Sequence, residues 1–213
     1  MFFVPDLSII LQFAVASFVI AITPGPDMTL FVGRALSQGR GAGFACMFGA
    51  MTGILVHTTL VSLGLSALLV ASPAAFLVLK IFGACYLVWL ALQALRHGSA
   101  FNPEARSGGK GSLVKNWLTG LGINLLNPKI ILFFMTFLPQ FVSTNDPCAP
   151  AKLFFLGVLF IPLVLPVTVP MVLAADKFAG LLRASPRVTR LVDYLFAGVF
   201  SAFAIKILTT EAR

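Results

Sequence analysis

The chain has 213 residues, of which 59% are apolar and only 10% charged, with a formal net charge of +8. A soluble domain carries about a quarter charged residues, and seven acids, fifteen bases and two histidines cannot coat a globule of this size. Composition therefore excludes a soluble enzyme, a disordered tail and a disulfide-stapled secreted module, and points to one membrane domain.

A helix needs about 20 apolar residues to cross a hydrocarbon core of roughly 30 Å. The uncharged runs, divided at Ser72-Pro73, predict six spans at 7–36, 42–70, 74–95, 112–141, 153–175 and 190–208. Met1–Asp6 has no Lys or Arg, so the first apolar stretch reads as a retained helix and not as a signal peptide. Ten of the fifteen bases fall after the first, third and fifth spans: Arg34, Arg40, Arg96, Arg106, Lys110, Lys115, Lys177, Arg183, Arg187 and Arg190. Lys152, Lys206 and Arg213 fall on the other side. The bias puts those three loops in the cytoplasm and both termini outside. The basic clusters then serve orientation and lipid headgroups. Nucleic-acid binding is a poor competitor, because no soluble module presents such a patch.

The Gly-, Ser- and charge-rich segment 98–111 is the one long linker. It divides a single transmembrane domain, 1–213, into repeat one (1–97) and repeat two (112–213). Three spans in each half force the halves to enter the membrane from opposite sides. The expected architecture is an all-α integral membrane protein, built as two inverted three-helix repeats, a common transporter construction.

The first and fourth spans are too long. Thirty residues of helix measure roughly 45 Å, and each span carries a proline motif part-way along: Thr23-Pro24-Gly25-Pro26-Asp27 and Asn124-Leu125-Leu126-Asn127-Pro128-Lys129. Proline lacks an amide hydrogen and clashes with the preceding turn, so each span should break into two half-helices. Unwound backbone survives in a membrane only against protein or a water-filled cavity, and a half-helix N-terminus suits a carboxylate. Pro/Gly-interrupted spans at matching places point to a transport site. The candidate binding residues are Pro24, Gly25, Pro26, Asp27, Asn124, Asn127, Pro128 and Lys129.

Asp27 and Lys129 each follow a proline in mid-span and have opposite charge. An intramembrane charge costs about 2.5–3.5 kcal/mol on insertion scales. The two either pair with each other and lock the halves together, or face the substrate path. Gly49, Gly53 and His57 recur every four residues on one face of the second span. The glycines fit close helix packing. His57 is either a buried histidine satisfied by a neighbouring hydroxyl or, with Asp27, a candidate proton carrier.

Asn124 can contact substrate or merely cap a broken helix, whereas Asn116 and Gln140, near the span ends, read as interfacial. Lys80 reads as snorkelling and Asp193 as locally ion-paired. Cys46, Cys85 and Cys148 form no Cys-x-x-Cys pair, no metal-ligand cluster is legible, and no cofactor or nucleotide motif occurs.

These residues resemble the LysE/RhtB family of bacterial amino-acid exporters. The matching pieces are the two proline motifs, Gly39-Arg40-Gly41-Ala42-Gly43, Gly49, Gly53 and His57, Gly83-Ala84-Cys85-Tyr86-Leu87, and Phe137-Leu138-Pro139-Gln140-Phe141. The resemblance covers nearly the whole chain. It implies six spans, an inner-membrane location and proton-driven export of small amino acids or their relatives. The fifth span departs from the family's pattern of an acidic residue and a tyrosine. It has Pro162, Pro166 and Pro170 on one helical face and Thr168 as its polar group, which predicts a kinked helix.

The reading is thus a secondary exporter, not an enzyme, that works by alternating access on an amino acid or derivative in contact with membrane lipid. A homo-oligomer is compatible with it. A divalent-metal exporter would need ligands at the breaks, where Lys129 repels a cation. A thiol–disulfide electron carrier would need its cysteines there. A purely structural or assembly role leaves the two intramembrane charges unexplained.

Overall fold

The structure, a computed structural model, describes residues 3–65, 111–143 and 146–177, with single helical positions at 78, 81, 85, 88, 92, 190, 191, 194, 198, 201, 202 and 205. The third and sixth predicted spans lie outside the described residues except at those positions. So do most of the linker and Ser72, Pro73, Lys80 and Asp193.

The described residues are helical and contain no strand. In chain order they form α1 (Leu7–Ile22), α2 (Pro26–Gln38), α3 (Arg40–Leu60, continued by a π turn at Val61–Leu65), α4 (Leu113–Leu126), α5 (Pro128–Leu132, continued by a π turn at Phe133–Phe137 and a 3-10 turn at Leu138–Phe141) and α6 (Ala149–Leu173). Arg40–Gly64 and Ala149–Leu173 are each long and apolar enough to cross a membrane, and two bent pairs raise the number of candidate spans to four.

Both expected breaks are present at the prolines. α1 and α2 meet at 52°, and α4 meets the segment Pro128–Phe141 at 53°. In each case the proline takes the first position of the second half-helix, where its missing N–H removes no hydrogen bond. Thr23 N–H closes α1 on Val19 O at 3.2 Å. Asn127 caps α5, its Oδ1 accepting from Lys129 N–H at 3.0 Å.

The fifth span begins four residues earlier than expected and runs unbroken through all three prolines. Pro162, Pro166 and Pro170 are all exposed, so their rings and the carbonyls they leave free lie on the outer face, where no neighbouring helix has to fit around them. Thr168 turns inward and donates to Val164 O at 3.1 Å.

α3 lies closest to α4. A Cβ on Gly49 would collide with the Trp117 carbonyl, and a Cβ on Gly120 with the Cys46 carbonyl. The two backbones approach this closely because each glycine faces the other helix's main chain, the small-residue packing that replaces hydrophobic sorting where lipid is as apolar as leucine. The expected packing face of α3 therefore has a counterpart on α4 at the same four-residue interval, Asn116, Gly120 and Asn124, all buried. Asn116 is 2% exposed and donates to Gln38 Oε1 at 2.9 Å. It joins α4 to α2 and is not interfacial as expected, because α3 and α4 pack too closely to leave that face open. Gln140 is half-buried and donates to Thr136 O at 3.1 Å.

Two apolar clusters lie on opposite sides of the breaks. One gathers Phe13, Phe133, Phe134, Phe137, Phe141 and Phe160 with aliphatic neighbours from α1, α5 and α6. The other gathers Met28, Phe31, Val32, Met47 and Met171 from α2, α3 and α6. The helix ends beside the second cluster carry Arg34, Arg40, Lys115 and Lys177; Lys152, paired with Asp146, lies at the opposite end.

Candidate functional site

The two breaks meet. Thr23, Asp27, Asn124 and Lys129 line one cavity of about 60 Å³ with Thr168 of α6. Four of these five polar residues belong to the proline motifs. The rest of the wall is apolar and includes Ile20, Phe31, Ile54, Phe160 and four methionines.

Lys129 enters from the second half of the chain and reaches the end of α1. Its ammonium donates to Thr23 O at 2.9 Å and to Ile20 O at 3.2 Å. A helix C-terminus carries partial negative charge and unsatisfied carbonyls, so a lysine there satisfies both. Gly25 makes room for this approach, since a Cβ at that position would stand 2.9 Å from Lys129 Nζ and displace it.

Asp27 occupies the first turn of α2, where the helix N-terminus favours a carboxylate. Its Oδ2 accepts from Asn124 Nδ2 at 2.9 Å. Its Oδ1 is buried and has no hydrogen-bond partner. No ion pair joins Asp27 to Lys129: among the described residues the salt bridge is Lys152–Asp146. The Asp27–Lys129 lock considered from the sequence is therefore not formed. The lysine is held by α1 carbonyls and the aspartate by Asn124, and the two charges share a cavity without touching.

Asn124 connects three elements. Its side chain holds Asp27, its backbone oxygen lies 3.4 Å from His57 Nε2, and its Oδ1 packs against Gly53, where no side chain fits. His57 is 8% exposed, with its ring 5.8 Å from that of Phe134. Its contact is with a backbone carbonyl and not with a neighbouring hydroxyl, one of the two alternatives the sequence left open; the Thr58 hydroxyl donates to its own helix at Ile54 O. Asn127 is buried and caps α5; its Nδ2 has no partner. Pro26 and Pro128 are exposed and act by setting the breaks, and Pro24 precedes the extended Gly25.

Sequence reasoning missed the methionines, the phenylalanine cluster, Gln38 and Gly120. Of these, Gly120 had a legible signal, since Asn116, Gly120 and Asn124 repeat every four residues. Among the described residues no three His, Cys, Asp or Glu side chains gather as a metal site. Cys46 is buried, Cys85 exposed and Cys148 half-buried, all free.

Two broken apolar helices that bring opposite charges to one cavity have the construction of a membrane translocator. The chain belongs to the LysE-type translocator family, whose model matches residues 18–211. It is 28% identical over 190 residues to a homoserine/homoserine lactone efflux protein of Salmonella typhimurium, covering 88% of this chain and 90% of that one. It is 25% identical over 209 residues to a leucine efflux protein of Klebsiella pneumoniae, 95% of each. A membrane protein of Vibrio cholerae is 27% identical over 209 residues, 97% of this chain and 100% of that one. No solved structure matches the chain. By family the chain is a translocator.

Proposed function

We propose that this protein exports a neutral amino acid or close derivative across the bacterial inner membrane, coupled to the proton gradient, by alternating access at the cavity between the two breaks. The observation that carries this reading is the unpartnered Oδ1 of Asp27 in a cavity that also contains the Lys129 ammonium. A buried acceptor without a donor costs about 1–3 kcal/mol, and a substrate ammonium removes that cost. The substrate carboxylate meets Lys129, with the Asn127 amide and the N-terminus of α5 as further donors. The named relatives are efflux proteins for homoserine and its lactone and for leucine; the amino group is common to all three, which fits an ammonium site at Asp27.

Asp27 or His57 carries the proton. Asn124 supports either assignment, since its side chain touches one and its backbone the other. The cavity extends from the breaks toward the end that carries Arg34 and Arg40, while the opposite end is filled by phenylalanines. With the basic end in the cytoplasm and the termini in the periplasm, this is the inward-facing arrangement, and the six spans of two inverted repeats supply the rocking halves.

The test is export from loaded cells or vesicles, with and without a proton gradient, by the native chain, Asp27→Ala and Lys129→Ala. Both variants should lose export at undiminished membrane abundance. Normal efflux from either sinks the site assignment, and efflux indifferent to the gradient sinks the coupling.

A further inference from the structure

The wall of the cavity has a composition that the two breaks do not explain. Met28 of α2, Met47 and Met51 of α3 and Met171 of α6 all line it, four of the six methionines in the chain. They come from three different helices and converge below Asp27 and Lys129. Thr168 is the one polar side chain of α6 in the lining, and its hydroxyl is already committed to Val164 O. Among the described residues, no charged group other than Asp27 and Lys129 lines the cavity.

Methionine is unbranched, polarizable and flexible, so a wall of it adapts to apolar groups of varied shape. Apart from the Thr168 oxygen, which can still accept, the described wall beyond the two breaks offers no hydrogen-bond partner to a second ammonium, a second carboxylate or an amide, and an unpaired buried charge is strongly disfavoured. The free space is small, about 60 Å³, so a large side chain such as an indole enters only if the flexible methionines move aside.

We infer that the four methionines form the side-chain pocket of the transport site, and that they select amino acids whose side chains are short, uncharged and apolar, aliphatic or thioether. The inference rests on the exporter reading above: the ammonium and carboxylate are held at the breaks, and the side chain projects toward α3 and α6. Selection is mainly by exclusion. A charged side chain loses its hydration and meets only thioethers and methyl groups.

The test uses the full-length protein in proteoliposomes loaded with unlabelled leucine, following counterflow of labelled leucine, methionine, threonine, phenylalanine, lysine and glutamate. Leucine and methionine should exchange, threonine about 10-fold more slowly, and lysine and glutamate at the background of empty vesicles. Met47→Ala and Met51→Ala should each raise the phenylalanine-to-leucine ratio of kcat/KM about 10-fold, the scale set by a changed apolar pocket. That ratio does not depend on how much of a variant folds. Lysine or glutamate exchanging as fast as leucine, or a phenylalanine-to-leucine ratio unchanged in both variants, overturns the pocket and leaves the exporter reading standing. Failure of every amino acid to exchange overturns both.

Discussion

On one side of the breaks six phenylalanines interlock, and on the other four methionines surround a cavity. The Phe133 ring lies 5.0 Å from that of Phe137, 5.1 Å from Phe160 and 6.0 Å from Phe13, while Phe141 meets Phe13 edge-on at 5.3 Å. Rings in such contact stabilise by about 0.5–1.5 kcal/mol per pair beyond their buried area, and they leave no passage. The methionine side is a smaller buried apolar cluster that borders the cavity. The difference shows how one bundle can be closed at one end and hollow at the other without any change in polarity. Stiff planar side chains seal, and flexible linear ones leave adaptable space. The phenylalanines Phe133, Phe134 and Phe137 sit in a π turn, an irregularity common where helices have functional roles. The seal is therefore built on the least regular part of the second broken helix.

The largest expected effect comes from the boundary between the two regions. Lys129→Ala removes a cation and frees the Thr23 and Ile20 carbonyls; export should fall at least about 100-fold, following the ~3 kcal/mol typical of a broken buried charge contact. Lys129→Arg should not restore it, because the bulkier planar guanidinium does not reproduce the point contact that the ammonium makes with the Thr23 and Ile20 carbonyls. Full activity of the arginine variant, measured as initial efflux rate, would show that charge alone matters there.

Next is the packing that holds both regions in place. Gly49→Val or Gly120→Val forces α3 and α4 apart, since even a Cβ meets the facing backbone. Overpacking of about 1–3 kcal/mol or more should lower the detergent melting temperature and the yield of monodisperse protein; an unchanged melting curve contradicts the close approach.

The seal itself should yield to truncation with a different signature. Phe133→Ala or Phe137→Ala opens a void worth about 3–5 kcal/mol on the side opposite the cavity. A cysteine placed at Thr23 should then become reactive to a membrane-impermeant thiol reagent added from the terminus side. The same reporter in Met47→Ala should stay protected. Equal labelling in both variants would remove the distinction between the two regions.

The smallest effect lies outside both regions, at the loop before α6. Lys152 and the Cys148 N–H hold the Asp146 carboxyl below the usual carboxylate range. A carboxyl depressed in the folded state stabilises above its unfolded value near ~3.9 and loses that contribution as pH falls through the folded value. The pair is solvent-accessible, so Lys152→Ala should cost at most about 1 kcal/mol and leave export unchanged, a control for the variants above.

The two broken helices were legible because proline acts locally. Its missing N–H and its ring interrupt a helix wherever the neighbours are, and Pro26 and Pro128 open new half-helices as expected. The third proline-rich segment shows the limit of that rule. Pro162, Pro166 and Pro170 predict a kink and not a break, and α6 continues through them with all three on the exposed face. The phenylalanine seal and the methionine pocket were not legible. In a membrane helix that is apolar all round, periodicity no longer separates the inner face from the outer one, and lipid rewards both alike.

The sequence by itself determined that the chain crosses a membrane, which end of each span is basic, where two spans break, and that Asp27 and Lys129 stand at the breaks. These follow from composition and from backbone chemistry confined to a few residues. Only the tertiary structure decided the partners. Asp27 binds Asn124 and keeps one oxygen free, while Lys129 closes the end of α1. The reason is distance. Residues about a hundred positions apart meet only after α3 and α4 have closed on their glycines, and that closure places Asn124, not Lys129, within hydrogen-bond reach of the aspartate.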